Sequence, residues 1–160
     1  MRAAFAVLFL SVTFATIIPT ATARAQTTAR TARSAASVAA RETRLRLTAW
    51  HFALRQRGKP YLWGGTGPAG YDCSGLVWAA YRRAGIILPR TTYEMLASWR
   101  LVRIPKYRAK RGDLAFFGTG HVELYEFGHW TFGAEHTGTR LGFHRNNIYW
   151  EPTMYFRVRA

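Results

Sequence analysis

The 160-residue sequence contains one cysteine, Cys73, so no disulfide can form within the chain. That absence excludes a small domain held together by disulfides. Acidic residues are also scarce, because 8 Asp and Glu stand against 23 Lys and Arg, a formal net charge of +15. Such a surface favours an anionic polymer as partner, or simply keeps the protein soluble. Zinc-finger spacing and basic helical repeats are missing, so neither nucleic acid nor a metal or other cofactor is expected.

The first 25 residues carry the pattern of a secretory signal peptide. Met1 and Arg2 give a positive start, residues 3–18 form an uncharged apolar run, and Ala23-Arg24-Ala25 offers a small-residue cleavage site. The apolar run is shorter than the ~20 residues that a spanning helix needs. This favours an exported protein with no stable membrane span after cleavage over an uncleaved membrane anchor.

The remaining chain divides into a leader and one domain. Residues 26–45 are rich in Ala, Thr, Ser and Arg and lack aromatic residues, which predicts a disordered basic leader. Residues 46–160 hold every Trp and Tyr, enough for one compact domain and not for two. No internal repeat is present, and a monomer is expected.

Within the domain the pattern changes from helices to strands. Helical spacing of apolar residues covers 45–56 and 73–84, and a shorter helix is predicted over 91–99. A loop rich in glycine and proline covers 60–71. The strand candidates are 114–117, 122–127, 130–134, 140–144 and 154–158, with Gly128-His129 as a two-residue turn. Helices followed by an antiparallel sheet indicate an α+β fold.

Cys73 lies in the first turn of the second predicted helix, directly after a suitable N-cap residue, Asp72. The unpaired N–H groups of a helix start stabilise a thiolate, which is the attacking species, and can also stabilise an oxyanion. The glycine-rich segment 63–68 suggests an open surface around the sulfur. A buried cysteine that only packs is the alternative. Among the five histidines, His121 is the best candidate base, because it begins a predicted strand after Gly118-Thr119-Gly120.

Five segments, in this order and spacing, resemble the NlpC/P60 family. They are Pro60-Tyr61-Leu62-Trp63-Gly64-Gly65, Gly70-Tyr71-Asp72-Cys73-Ser74-Gly75-Leu76-Val77, Leu88-Pro89-Arg90-Thr91-Thr92, Arg111-Gly112-Asp113-Leu114-Ala115-Phe116-Phe117 and Gly120-His121-Val122. The resemblance implies a papain-like α+β core, with N-terminal helices packed on a small antiparallel sheet. In that core the cysteine lies on a helix and the histidine on the sheet.

The resemblance also implies a bacterial cysteine-type peptidase that cuts peptidoglycan stem peptides. Such enzymes typically cleave beside D-glutamate, most often at the bond to a diamino acid. By position, Cys73 is the nucleophile and His121 the base. Four further positions match residues that hold or line the substrate peptide: Tyr61, Asp72, Ser74 and Thr92. Arg90 fits a structural ion pair and a substrate contact equally well.

A third catalytic residue is not where the family places it. The family has a polar side chain about a dozen positions after the histidine, which orients the imidazole, and here that position is Gly133. A two-residue turn at 128–129 would pair residue 121 with His136, which we favour as the replacement. Alternation from Gly133 favours Glu135 instead. A backbone carbonyl or a water is a further alternative.

Two other functions stay open on the sequence alone. The family also contains amidases and acyl transferases, and the missing side chain at 133 together with the basic charge fits a catalytically silent domain that binds cell wall. The expected partner is a peptidoglycan peptide, and an anionic wall polymer suits the charge. The expected location is secreted or periplasmic, associated with the cell wall.

Overall fold

The computed structural model describes residues 21–160. Its helices are α1 Ala21–Leu54, α2 Cys73–Arg83 and α3 Thr92–Leu96, with a 3₁₀ turn at Lys106–Arg108. Most of the predicted signal peptide, residues 1–20, lies outside the described residues. None of the helices within 21–160 combines the length and the apolar character that crossing a membrane requires.

The prediction of a disordered leader over residues 26–45 differs from the structure, because α1 runs through the whole segment. Residues 21–57 contain no glycine or proline and are rich in alanine and arginine, which favour helix. Residues 26–45 also lack apolar bulk. That lack removes packing but leaves helix propensity intact, and residues 21–41 are accordingly helical and exposed. The chain divides into two units, 1–35 and 36–160, and the second contains the sheet.

The predicted antiparallel sheet is confirmed and has six strands, in the order β1-β6-β2-β3-β4-β5. The strands are β1 Leu101–Ile104, β2 Leu114–Phe117, β3 His121–Phe127, β4 Trp130–Gly133, β5 Gly142–Arg145 and β6 Met154–Val158. β1 was not predicted, and α3 ends at Leu96 rather than 99. The order of helices followed by one antiparallel sheet is the predicted papain-like α+β fold.

The two faces of β3 have different surroundings. Val122 and Leu124 are fully buried in the main core, with residues of α2 and the C-terminal end of α1 such as Trp50. Side chains alternate along a strand, so His121 and Glu123 lie on the other face. Val122 and Leu124 therefore pack the strand against the core, and the opposite face carries the ionisable side chains.

The turn between β3 and β4 contains a bulge. Phe127 pairs with Trp130, as a two-residue turn requires, but Tyr125 pairs with Thr131, so the register shifts by one residue. A bulge inserts one extra residue in one strand, here Glu126. Every pairing before the bulge consequently differs from that of a regular hairpin, including the predicted pairing of residues 121 and 136.

Asp113, which lies immediately before β2 and is fully buried, connects three parts of the domain. Its carboxylate accepts from Arg157 of β6 at 2.6 Å and from the backbone N–H of Lys110 at 2.8 Å, and Arg46 of α1 lies 3.7 Å away. Removing one partner of a buried ion pair leaves the other charges uncompensated. Asp113 therefore has a structural role in tying α1, β2 and β6 together.

We expect Asp113→Asn to lower the free energy of unfolding by about 3 kcal/mol or more, because the buried Arg46 and the partly buried Arg157 lose their counter-charge. Denaturant unfolding at pH 7 measures this change. Glu151→Gln is the matched control, since Glu151 pairs with Lys106 at a partly exposed position and surface pairs contribute about 0–1 kcal/mol. Equal effects of the two substitutions would contradict this role for Asp113.

Candidate active site

The start of α2 holds Cys73 at the predicted first helical position. Asp72 is the N-cap, and its Oδ1 accepts from the backbone N–H of Gly75 at 2.6 Å. Its Oδ2 accepts from the N–H of Gly64 at 2.9 Å, which ties the glycine-rich loop to the helix. A side chain at Gly75 would collide with the carbonyl oxygen of Gly65. These local contacts hold the half-buried Cys73 at the N-terminal, positive end of α2.

A cleft of about 470 Å³ opens beside Cys73. Its walls include the sulfur-bearing residue and the four predicted substrate-contacting residues, which are Tyr61, Asp72, Ser74 and Thr92. The structure therefore gathers into one cavity residues that the sequence separates by up to 31 positions. Burial raises the pKa of Tyr61, and the neighbouring Cys73 and Asp72 add to the increase, so its phenol stays protonated and able to donate.

Arg90 also lines this cleft. Its guanidinium donates to Asp72 Oδ2 at 2.6 Å and to Ser74 Oγ at 2.9 Å. The structural ion pair considered from the sequence is therefore present. Because a guanidinium has five N–H donors, these bonds leave it donors with which to contact a ligand as well.

His121 lies at the first position of β3, with its ring largely buried beside the stacked rings of Phe117 and Trp150. The ring centroids of Phe117 and Trp150 lie 5.4 and 5.6 Å from that of His121. Burial lowers the pKa of His121, but hydrogen bonds with Cys73 and Glu123 outweigh burial and raise the pKa to about 9. A protonated imidazole beside the sulfur stabilises a thiolate. Cys73 therefore lies close enough to His121 to raise the pKa of its imidazole, and the catalytic roles of the two residues stay a prediction.

Glu123 is the partner of His121 that the sequence analysis did not identify. Its side chain is 0% exposed, and its Oε1 lies 3.2 Å from His121 Nε2 and 2.8 Å from His144 Nδ1. Burial raises the pKa of Glu123, but the hydrogen bonds with both histidines hold the pKa well below its ordinary range. Glu123 is therefore a carboxylate that engages Nε2 of His121 and leaves Nδ1 for the sulfur.

The side chain of Glu123 fills the space beside Gly133, the position where the family carries its third residue. A Cβ at Gly133 would lie 2.5 Å from Glu123 Cγ, so the glycine provides the space that Glu123 fills. One signal in the sequence could have indicated this residue. Glu123 follows His121 by two positions and so shares its face of the strand.

His136 and Glu135, the two replacements considered from the sequence, form no hydrogen bond or ion pair with His121. His136 is exposed, and its Nδ1 lies 2.9 Å from the carbonyl oxygen of Thr137. The predicted pairing of His136 with His121 is therefore wrong, because the bulge at Glu126 shifts the strand register, and the carboxylate beside the His121 ring is that of Glu123. Oε1 of Glu135 lies 3.8 Å from Nδ1 of His144. Within residues 21–160 no group of three or more Cys, His, Asp or Glu side chains is arranged to hold a metal ion.

We expect Glu123→Gln to move the alkaline limit of activity to lower pH. The carboxylate helps to raise the pKa of His121 to about 9, so the protonated imidazole persists until the pH rises through that value. A neutral amide removes the charge, and the limit should fall by about one to two pH units. The measurement is the pH dependence of kcat/KM on a defined muropeptide.

Glu126→Gln is the control for this substitution, because Glu126 lies on the same strand but pairs with Arg111. We expect its alkaline limit to match that of the unmodified protein. An unchanged limit in Glu123→Gln would show that the carboxylate does not act on His121.

The domain is a papain-like α+β core, which carries a cysteine at the start of a helix and a histidine on the adjoining sheet. Residues 58–159 match the model of the NlpC/P60 family, so the chain belongs to that family. This match confirms the resemblance seen in the sequence motifs.

Two curated relatives and two solved structures illustrate the similarity. The chain is 37% identical over 109 residues to the bifunctional muramidase/DL-endopeptidase CwlT of Bacillus subtilis, covering 60% of this chain and 32% of CwlT. It is 44% identical over 80 residues to the murein DD-endopeptidase MepH of Escherichia coli, covering 45% of this chain and 30% of MepH. The chain thus spans about a third of the length of these relatives.

The two structures confirm the fold. The peptidoglycan hydrolase RipB of Mycobacterium tuberculosis aligns with a TM-score of 0.66 at 27% identity, covering 76% of this chain and 68% of RipB. An NLP/P60-family protein of Staphylococcus aureus, described as similar to a lipoprotein, aligns with a TM-score of 0.64 at 30% identity. That alignment covers 72% of this chain and 42% of the other.

Proposed function

We propose that this chain is a cysteine-type endopeptidase that hydrolyses peptidoglycan stem peptides, at the bond between D-glutamate and a diamino acid. The observation that carries the proposal is the position of Cys73 at the head of α2, beside an open cleft and near enough to His121 to raise the pKa of that imidazole. The substrate class is supported by the names of the relatives, which include endopeptidases and a peptidoglycan hydrolase.

The proposed reaction begins with the Cys73 thiolate and the His121 imidazolium. The sulfur attacks the carbonyl carbon of the scissile amide, and the N–H groups in the first turn of α2 stabilise the negative oxygen that forms. His121 donates its proton to the leaving amine as the C–N bond breaks, which leaves a thioester on Cys73. A water then loses a proton to His121 and attacks the thioester carbonyl, releasing the acid and restoring the ion pair.

The remaining cleft residues are proposed to hold the peptide. Asp72, Ser74 and Thr92 are within the walls of the cleft, and Arg90 adds a positive charge there. A carboxylate of the stem peptide is a suitable partner for a guanidinium. Tyr61, whose phenol stays protonated, can donate a hydrogen bond near the sulfur.

The proposed setting is the cell wall. The N-terminal sequence suits export, and the net charge of +15 suits a wall that carries carboxylates and phosphates. We propose a monomer that is secreted or periplasmic and acts at this wall.

Digestion of defined muropeptides, analysed by mass spectrometry, tests the proposal. We expect one cut, between D-glutamate and the diamino acid, and no cut after Cys73 has been alkylated. Cleavage between two D-centres, as the name of MepH suggests for that relative, would contradict the proposed scissile bond but not the cysteine mechanism. Release of an intact stem would indicate an amidase. Wall binding without any cut, with or without alkylation, would indicate a silent domain and overturn the proposal.

A further inference from the structure

We infer that His144 is a positioning residue of this site, which holds the Glu123 carboxylate across the intervening strand so that Glu123 can orient His121. This inference rests on the proposed function, because it assigns a role within the same cysteine–histidine site. His144 matched no family position and was not singled out by its sequence context. Its connection to the site appears only in the packing of β3, β4 and β5.

The contact between Glu123 and His144 crosses a strand. Glu123 lies on β3 and His144 on β5, and β4 separates them in the sheet. His144 pairs with Thr131 of β4. Side chains on strands that are not neighbours normally have the side chains of the middle strand between them. Here the middle strand carries Gly133, and a Cβ there would lie 2.5 Å from Glu123 Cγ.

Gly133 therefore makes the contact possible. The absence of a side chain at this position lets the Glu123 carboxylate extend over β4 and meet the imidazole of His144. The polar residue that the family places here would occupy the same space. The site thus combines two changes that depend on each other, an orienting carboxylate on β3 and a glycine on β4.

The hydrogen bonds of Glu123 indicate that His144 contributes to catalysis as well as to stability. Oε1 of Glu123 contacts both imidazole rings. It lies 2.8 Å from Nδ1 of His144 and 3.2 Å from Nε2 of His121. A carboxylate without solvent contact needs such partners to remain charged. Because one oxygen serves both histidines, loss of the shorter contact frees the carboxylate to rotate away from His121.

Several charged or titratable groups surround this carboxylate. His121 faces it from β3 and His144 from β5, Cys73 of α2 adjoins His121, and Glu135 after β4 adjoins His144. Burial lowers the pKa of His144, but its hydrogen bond with Glu123 and the charges of Glu123 and Glu135 outweigh burial and raise it. The groups form a chain in which imidazole rings alternate with the thiol and the two carboxyl groups.

Two substitutions of nearly equal size separate positioning from packing. Asparagine can present an N–H from about the position of Nδ1, whereas leucine has a similar volume and no donor. In His144→Leu the pKa of Glu123 should rise, since the hydrogen bond with His144 helps to hold it low. Glu123 then takes up a proton at a higher pH. A neutral carboxyl no longer stabilises the imidazolium, and the thiolate loses its partner.

The experiment measures the alkylation rate of Cys73 by iodoacetamide between pH 4 and pH 10. Cys73 is the only cysteine, so the signal comes from one site. We expect the midpoint of the rise in rate to move up by about one pH unit in His144→Leu and to stay within about 0.3 units in His144→Asn. With a muropeptide as substrate, His144→Leu should lower kcat about tenfold and leave KM within about twofold of the unmodified value. Such a result means that the substitution affects the transition state rather than substrate binding.

A second variant covers the case in which His144→Leu does not fold. Gly133→Ala keeps both histidines and pushes Glu123 out of its place, and it should move the midpoint in the same direction. Superimposable alkylation curves for the unmodified protein and the folded variants would overturn the inference. A midpoint that moves to lower pH would also overturn it, because direct repulsion between the two rings would then be the larger effect.

The failures of the two proposals can be told apart. If the unmodified protein releases no fragment from any muropeptide, the proposed function fails, while the alkylation curves still report whether His144 acts on the thiol. If fragments are released and the alkylation curves coincide, the peptidase proposal stands and the role of His144 is rejected.

Discussion

Replacement of Cys73 by alanine is expected to lower the rate of muropeptide hydrolysis by a factor on the order of 10⁴ or more. The sulfur is the proposed attacking atom, and the chain contains no other thiol. The first turn of α2 can still stabilise an oxyanion without it, but the acyl-enzyme route is closed. Initial rates of fragment release, measured by chromatography and mass spectrometry, give the factor.

Thermal unfolding and cell-wall binding of the alanine variant are the controls. Cys73 is only half-buried, so the alanine variant should unfold within a few degrees of the unmodified protein and should still bind cell wall. Fragment release within about tenfold of the original rate would mean that Cys73 is not the nucleophile. Loss of both binding and stability would mean that the substitution disturbed the fold.

Replacement of His121 by glutamine is expected to lower the same rate by about 10³-fold. Glutamine can keep a hydrogen bond to Glu123 but cannot carry a proton to the leaving amine. It also removes the positive charge that stabilises the thiolate. The rate should therefore fall at every pH rather than only above the limit near pH 9 that the raised pKa of His121 sets.

His136→Gln is the matched control for this second prediction, since it makes the same chemical change at an exposed ring. We expect it to change the rate by less than about twofold. A large loss in His136→Gln would restore His136 as the third residue and contradict the geometry around Glu123.

The sequence predicted the parts of the fold that are set by local signals. Asp72 before Cys73 and Gly85 after the last turn mark the ends of α2, which runs Cys73–Arg83. The strands Leu114–Phe117 and Met154–Val158 agree with their predicted bounds. The family motifs led directly to Cys73 and His121, and the thiol lies near enough to raise the pKa of the imidazole.

The parts that were missed depend on contacts between distant segments. Strand β1 is a short edge strand that exists through its pairing with β6, so its four residues carry little signal of their own. The third residue of the site depends on the bulge at Glu126, which a two-residue turn does not reveal. The two-residue spacing puts Glu123 on the same face as His121, but the space that Gly133 leaves for its carboxylate is visible only in the structure. The contact with His144 likewise requires β5 to be placed beside β4.

The most direct test of the cysteine–histidine pair compares the alkylation of Cys73 in the unmodified protein and in His121→Gln at pH 6. If the imidazolium of His121 stabilises the thiolate, the unmodified protein should react at least about tenfold faster, a difference of about 1.4 kcal/mol in favour of the charged sulfur. Equal rates in the two proteins would contradict the ion pair on which the proposed reaction depends.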